Sequence, residues 1–598
     1  MCGIVAGVAE RNLVPILLEG LKRLEYRGYD SAGLAVLDGT AMRRERAVGK
    51  VASLAAQCGA LRGQLGIAHT RWATHGRPSE DNAHPHAGGR DGVRIVLVHN
   101  GIIENHAALR ARLQDRGYTF ASQTDSEVIA HLVADYYEEN HGLVAAVRLA
   151  VAELEGAYAL AVMAVDRPDE LVAIRHGSPM VIGLGIGETF AASDTFALLP
   201  VTRRFIYLQE GDLAVLRRDG CTISDRDGHP VIREESESAQ DSDAGGKGGY
   251  KHFMQKEMFE QPGVIAETLE GRMLHDALNR EAFDDTLLQA LARTQQLHII
   301  ACGTSYHAGL ALRNTFEKQG IATVVDVASE YVYRPVAVPA GTLFIAISQS
   351  GETADTLAAL KKARDLGYLA RVAICNVADS AIVREADAAL LTRAGREIGV
   401  ASTKAFITQL VVLHLVAQLL GAEQLATLQH LPAAVEQVLE RDGDIARLAR
   451  LLDGKHGALF LGRGAFYPIA LEGALKMKEL TYLQAEAYPA GELKHGPLAL
   501  VDDTMPVIAL IADDALAGKM RSNLQEVQAR GGRLIVFADD SVDLDGVDGD
   551  ILRLGSLAHD TAPAAFAVAL QLLAYHAALR RGTDVDQPRN LAKSVTVE

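Results

Sequence analysis

Two periodicities alternate along this chain. Short β-branched, apolar runs at residues 93–98, 160–165 and 205–208, with turn residues between them, predict strands. Helical spacing of apolar positions predicts helices over 14–24 and 126–137, so the front of the chain reads as a layered α+β piece. The later chain follows a stricter order. An apolar strand at 297–301 meets Gly303 and then a helix from about 308; the same succession returns at 458–461, Gly462 and a helix from about 468. A second strand at 343–347, a loop, a helix, Gly367 and a strand at 372–375 return as 507–511, a loop, a helix, Gly531 and 534–537. Recurrence after about 160 residues predicts two copies of one β-α-β domain, each with a doubly wound parallel sheet. The most apolar stretches, 410–420 and 562–579, are interrupted by His, Gln or Pro, and predict buried helices of a large core rather than membrane spans.

Between the two pieces, residues 234–249 run through Glu, Ser and Asp into Gly-Gly-Lys-Gly-Gly. Such a stretch buries too little apolar surface to offset its ordering entropy and reads as a linker. A chain of 598 residues leaves room for three or four domains of about 150 residues. The division expected is 1–238, a linker at 239–249, 250–432, 433–590, and a tail at 591–598. Composition (48% hydrophobic, 23% charged) excludes a disordered or collagen-like chain. The 59 Lys and Arg face 76 Asp and Glu, a net charge of -17 with no basic cluster, which argues against nucleic acid as a partner. The five cysteines (Cys2, Cys58, Cys221, Cys302 and Cys375) are too scattered for a disulfide framework or a metal clip, which points to a reducing compartment. No basic segment precedes an apolar run at the N-terminus, where Glu10 and Arg11 intervene, so a cytoplasmic protein without a conventional signal peptide is expected.

Candidate chemistry lies in both pieces. In the first copy of the repeat the loops read Cys302-Gly303-Thr304-Ser305 and Ser348-Gln349-Ser350-Gly351-Glu352-Thr353. The second copy has Gly462-Arg463-Gly464-Ala465 and Ala512-Asp513-Asp514-Ala515. Hydroxyls and backbone N–H groups at helix starts suit a phosphate; helix capping explains one such loop equally well, but two loops in one copy, both lost in the other, favour a phosphate site in the first copy. No Walker-type loop or dinucleotide glycine fingerprint accompanies them. At the front, Cys2 follows the initiator methionine, and trimming would leave an α-amino group on the nucleophile's own residue to act as its base. The run Val98-His99-Asn100-Gly101 offers a side-chain amide and an unhindered N–H, a donor pair for an oxyanion, although an Asn-Gly turn reads the same. Five histidines (His69, His75, His84, His86 and His99) lack zinc-binding spacing. Lys476 and Glu479 share a side of a predicted helix, and Lys593 lies in the extended tail; spacing alone gives neither a role.

Longer motifs narrow the choice. Met1-Cys2-Gly3-Ile4-Val5, the run from Glu25 to Gly33, His69-Thr70-Arg71-Trp72-Ala73-Thr74-His75-Gly76 and the run from His99 to Asn105 mark the front. At the back stand both hydroxyl loops, Gly491-Glu492-Leu493-Lys494-His495-Gly496-Pro497 and the closing run from Gln587 to Glu598. Together, and over the whole chain, these resemble the bacterial glutamine–fructose-6-phosphate aminotransferase (isomerizing), or glucosamine-6-phosphate synthase, family. The resemblance implies an N-terminal-nucleophile αββα glutaminase domain followed by two doubly wound sugar-isomerase domains. It implies that Cys2 attacks the glutamine amide, that Asn100 and the Gly101 backbone form the oxyanion hole, and that Arg71, Thr74, His75 and Asp125 bind glutamine. Ammonia would pass an internal channel gated by Trp72, the only tryptophan. Ser305, Ser348, Gln349, Ser350, Thr353, Val400, Ala401 and Ser402 would hold fructose 6-phosphate. His495 would open the sugar ring, Lys593 would form a Schiff base at C2, and Glu479, assisted by Lys476, would carry a proton between C1 and C2. A homodimer is implied, with His495 supplied across its interface; no metal or organic cofactor is expected. Two alternatives stay open: a glutaminase coupled to another sugar-phosphate acceptor, against which the back motifs speak, and a sugar-phosphate-sensing binding protein, which predicts decay of Cys2, Glu479 or Lys593.

Overall fold

The structure, a computed structural model, describes residues 2–39, 41–138, 142–238, 246–274, 277–421 and 426–596. The chain divides into two compact units, Met1–Gly245 with Ser594–Glu598, and Gly246–Lys593.

In the first unit the strand Gly3–Ala9 is buried along its whole length because it pairs antiparallel on both edges, with Leu65–Arg71 and Glu188–Ala192. It belongs to a sheet of eight described strands; a second antiparallel sheet has seven. Successive side chains of a strand point to opposite faces, and the cores sort accordingly. Ile4, Ala6 and Val8 meet Val96, Val98, Ala159 and Ala161 between the sheets. Val5 and Ala9 face Leu17 and Leu21 of the helix Val14–Leu24. On the far side, Ile95 and Leu97 of the other sheet pack on Val128 and Leu132 of the helix Ser126–Glu138. The result is the expected αββα layering. Both sheets are covered on both faces at their centres, which is why central strands such as Gly3–Ala9 and Leu65–Arg71 are buried throughout instead of alternating.

The second unit contains the repeat. Its first parallel sheet runs Ala322–Val327, Gln296–Ala301, Thr342–Ser348, Arg371–Cys375, Ala388–Leu391. The other runs Gln484–Pro489, Gly457–Gly462, Pro506–Ile511, Arg533–Ala538, Asp550–Arg553. Both therefore share the order 2-1-3-4-5, with a switch point beyond the carboxyl ends of the first and third strands, where ligands enter such sheets. The hydroxyl loops of the first copy follow those two strands. The helix Gly303–Lys318 begins earlier than its apolar periodicity, because its first turn carries Thr304 and Ser305 in place of core residues. The helix Ala562–Arg581 is long and apolar enough by composition to cross a membrane, but 89% of its most apolar window is buried. It lies against the helix Phe466–Thr481, with Phe466 and Phe566 rings 5.0 Å apart. At Gly473 a Cβ would come within 2.4 Å of Leu570, so the close approach of these helices needs glycine.

The linker reading needs a correction at its start. Glu235–Glu237 is an edge strand paired with Arg204, Phe205 and Ile206; a polar composition is what an exposed sheet edge tolerates. Residues 239–245 of the linker expected at 239–249 lie outside the described residues.

Candidate active sites

Cys2 opens the central strand of the eight-stranded sheet. Its Sγ lies 3.2 Å from the Trp72 N–H, which donates to it, and 3.5 Å from the Trp72 carbonyl. Burial pushes the thiol above its ordinary pKa, against the pull of the N-terminal charge and Arg71. Asn100, on the strand Ile95–Ile103 of the other sheet, donates from Nδ2 to the Cys2 carbonyl at 3.1 Å. Gly101 follows at φ +140, where a Cβ would meet the Ala157 carbonyl at 1.9 Å. Only glycine fits there.

The predicted glutamine contacts gather in the same unit. Arg71 is buried at the end of its strand and donates from Nη2 to the carbonyls of His75 and, at 3.0 Å, Gly76; its Nη1 is buried without a partner. An unpaired buried guanidinium N–H is costly unless a ligand takes it. Asp125 is also buried, and its Oδ2 accepts from the Ile103 N–H at 2.9 Å. His75 Nδ1 is a second buried atom without a partner, whereas Thr74 is exposed. Trp72, half-buried, sets its ring edge-on to Tyr29 at 5.8 Å.

In the second unit Ser348 Oγ accepts from the Gly351 N–H at 3.0 Å and lies 3.3 Å from Thr353 Oγ1, while Ser350 Oγ accepts from the Glu352 N–H at 3.2 Å. Gln349 lends its carbonyl to the Cys375 thiol at 3.8 Å. Ser305, at the start of its helix, receives the Gln409 amide at 3.0 Å. The Val400–Ser402 segment is tied down from both ends: Val400 N–H donates to the Asp586 carbonyl at 3.0 Å, and Ser402 Oγ to Glu397 at 3.0 Å; Ala401 is buried between them. Lys593 forms a buried ion pair with that same Glu397. Burial alone would raise Glu397, but Lys593 and the N–H groups of Thr403 and Ala405 hold it at about 2.

Lys476 is fully buried, 2.5 Å from Glu479 and 3.4 Å from Glu472. Despite its burial, those two carboxylates push its pKa up, so it stays an ammonium. Glu472 also takes Thr304 Oγ1 at 3.0 Å and His307 Nδ1 at 2.8 Å, joining the helix Phe466–Thr481 to the first hydroxyl loop. The sequence reading missed Glu472, although Glu472, Lys476 and Glu479 make a helical stripe in the sequence. It also missed Glu397, which no spacing marks. His495 stands apart: it is exposed at the end of Ala490–His495, and no described hydrogen bond joins it to Lys476, Glu479 or Lys593.

Comparison with known proteins matches this layout. Residues 290–419 and 451–581 match the SIS domain, and 69–200 match a glutamine amidotransferase domain. Glutamine–fructose-6-phosphate aminotransferase [isomerizing] of Pseudomonas putida is 54% identical over the whole of both chains. The chain belongs to that family. The Escherichia coli K12 protein of the same name is also 54% identical over the full length of both. Among solved structures, the C-terminal domain of glucosamine-fructose-6-phosphate aminotransferase from Francisella tularensis covers 57% of this chain and all of its own, at 46% identity and a TM-score of 0.55. Tagatose-6-phosphate ketose/aldose isomerase from Escherichia coli shares the fold over 57% of this chain and 96% of its own (TM-score 0.51, 22% identity). In this chain the two groups of polar residues fall one in each unit: a thiol with amide donors in the unit that holds the amidotransferase match, and hydroxyl loops with a lysine–carboxylate cluster in the unit that holds both SIS matches.

Proposed function

We propose that this chain transfers the amide nitrogen of L-glutamine to D-fructose 6-phosphate and isomerises the product to D-glucosamine 6-phosphate, releasing L-glutamate. The observation that carries this reading is the meeting of a thiol, an amide donor and a buried guanidinium with one unpartnered nitrogen in one unit, in a chain 54% identical end to end to proteins of that name.

In the first half-reaction the Cys2 thiol gives its proton to the α-amino group freed by loss of Met1, and Sγ bonds to the glutamine Cδ. The C=O π pair moves onto oxygen, which Asn100 Nδ2 and the Gly101 N–H stabilise. Collapse restores the carbonyl, breaks the C–N bond with the proton delivered to nitrogen, and leaves ammonia and a thioester; water then releases glutamate. Arg71 Nη1 takes the α-carboxylate and Asp125 the α-ammonium, a pairing that suits a zwitterion. Thr74 and His75 line the pocket, and Trp72 gates the ammonia's exit.

In the second half-reaction the hydroxyls of Ser305, Ser348, Ser350 and Thr353, Gln349 and the Val400–Ser402 segment hold the phosphate sugar. His495, from a second copy of the chain, opens the ring. Lys593 condenses with the C2 carbonyl, losing water; ammonia replaces it at C2, which frees the lysine. Glu479 takes a proton from C1 and returns one to C2, while the C1 hydroxyl loses its proton and the imine nitrogen gains one, leaving the amine on C2 and an aldehyde at C1. Lys476, held cationic, stabilises the charge that develops and cannot itself be the base. The free state of all five cysteines fits the reducing cytoplasm.

The test is to incubate the purified protein with L-glutamine and fructose 6-phosphate and follow glutamate and glucosamine 6-phosphate together by mass spectrometry. Equimolar appearance of both is expected. Glutamate without amino sugar would overturn the acceptor assignment.

A further inference from the structure

Of the five histidines that fit no metal pattern, His69 has the most constrained surroundings. It is fully buried on the strand Leu65–Arg71, and it reaches across the space between the sheets to the strand that carries Asn100. Its Nε2 lies 3.1 Å from the His99 carbonyl and 3.0 Å from Asn100 Oδ1. Proton positions in this group follow from elementary chemistry. The His99 carbonyl only accepts, so His69 Nε2 must carry a hydrogen. The atom of the Asn100 amide facing it must then be the oxygen. The other end of that amide must be Nδ2, and it meets a second acceptor-only group, the Cys2 carbonyl, at 3.1 Å. Two backbone carbonyls, one at each end, thus fix the amide's orientation. His84 packs edge-on against the same ring, its Nδ1 2.9 Å from His69 Nδ1 and 3.0 Å from His69 Nε2. Burial keeps His69 neutral, with a pKa down at about 3, so the arrangement holds throughout the neutral range.

We propose that His69 is the positioning residue of the oxyanion site: its Nε2–H locks the Asn100 carboxamide with the N–H end toward Cys2. This deepens the glutaminase reading above and rests on it. An amide free to rotate would present its oxygen to the developing oxyanion for part of the time, turning a stabilising donor into a repulsive acceptor. His69 touches neither glutamine nor the thiol; it acts through Asn100.

The test compares His69→Phe, which keeps the ring shape and removes the donor, with His69→Gln, which restores an N–H. Removal of an oxyanion donor lowers kcat by roughly 10²–10³-fold. His69→Phe is expected to lower kcat for glutamine hydrolysis by about 10²-fold with KM for glutamine within about threefold, and His69→Gln to recover at least tenfold of the loss. Alkylation of Cys2 by iodoacetamide passes through no oxyanion, and its rate is expected to stay within about twofold in both variants. Equal losses of hydrolysis and alkylation, or a wild-type kcat in His69→Phe, would overturn the proposal. Should His69→Phe fail to fold, ¹⁵N spectra of the histidine rings in the unmodified protein decide: a hydrogen on His69 Nδ1 in place of Nε2 sinks it. Absence of glutamine hydrolysis in the unmodified protein would overturn the underlying reading instead.

Discussion

Two residues show how the backbone and burial prepare the amidotransferase site. Gly101 sits at φ +140 with the Ala157 carbonyl where a side chain would begin. Gly101→Ala is expected to push the oxyanion N–H out of place and reduce glutamine hydrolysis at least about 10²-fold, with a lowered melting temperature. Steady-state kinetics and calorimetry would check it. Cys2 is the second case. Burial raises its thiol, so the thiolate, the reacting form, is scarce at neutral pH and grows as pH rises. The midpoint of its alkylation rate against pH is expected above about 8.5, the midpoint of an ordinary exposed thiol. A pH–rate profile with its midpoint at or below that value would contradict the reading.

At the scale of elements, the segment from Glu397 to Thr403 is held between two buried carboxylates. Glu257 accepts from the Ile398 and Gly399 N–H groups, and burial together with Glu397 pushes it up to about 8. A carboxyl raised in the fold stabilises fully below its unfolded pKa, and that contribution is lost as pH rises toward the folded value. Glu257→Gln, which mimics the neutral acid, is therefore expected to raise the melting temperature more at pH 9 than at pH 6. Equal shifts at both would refute the assignment. The two hydroxyl loops make a second prediction. Ser348→Ala is expected to raise KM for fructose 6-phosphate by about tenfold or more, as for a lost bond to a charged group. Asp513→Ala, in the matching loop of the other copy, should leave it within about twofold. The repeat, its strands and the helix Val14–Leu24 were legible because buried parallel strands and amphipathic helices each leave a period in the sequence. The edge strand Glu235–Glu237 left none, since its polar residues serve a solvated edge, and the early start of Gly303–Lys318 was hidden by a first turn without core residues. In the sites, Cys2 and the Asn100-Gly101 pair stood out as candidates from their own chemistry, with an ordinary turn as an equal reading of the pair, whereas Lys593 drew its expected role only from family resemblance. Glu397 and Glu257 were not legible, because a buried acid looks like a surface acid until its partner is known.

For the whole molecule, the division of residues between the units predicts a division of labour. Cys2→Ala is expected to abolish use of glutamine while isomerisation of the sugar phosphate survives, since Lys476, Glu479 and Lys593 all belong to the other unit. Loss of isomerisation in a well-folded Cys2→Ala protein would count against it; an aldose-formation assay decides. The position of Cys2 at the head of a strand paired on both edges also bears on how the protein is handled. A purification tag fused ahead of it would turn the proposed α-amino base into an amide and crowd a strand with no free edge, while the residues proposed for the sugar chemistry lie in the other unit. Such a preparation would pass for a genuine isomerase with no glutaminase. A tag after the last residue would follow Lys593 by only a few positions. The turn around Ile186, a residue 98% exposed between two short paired strands, carries none of the residues assigned to either reaction and is the place to put a label.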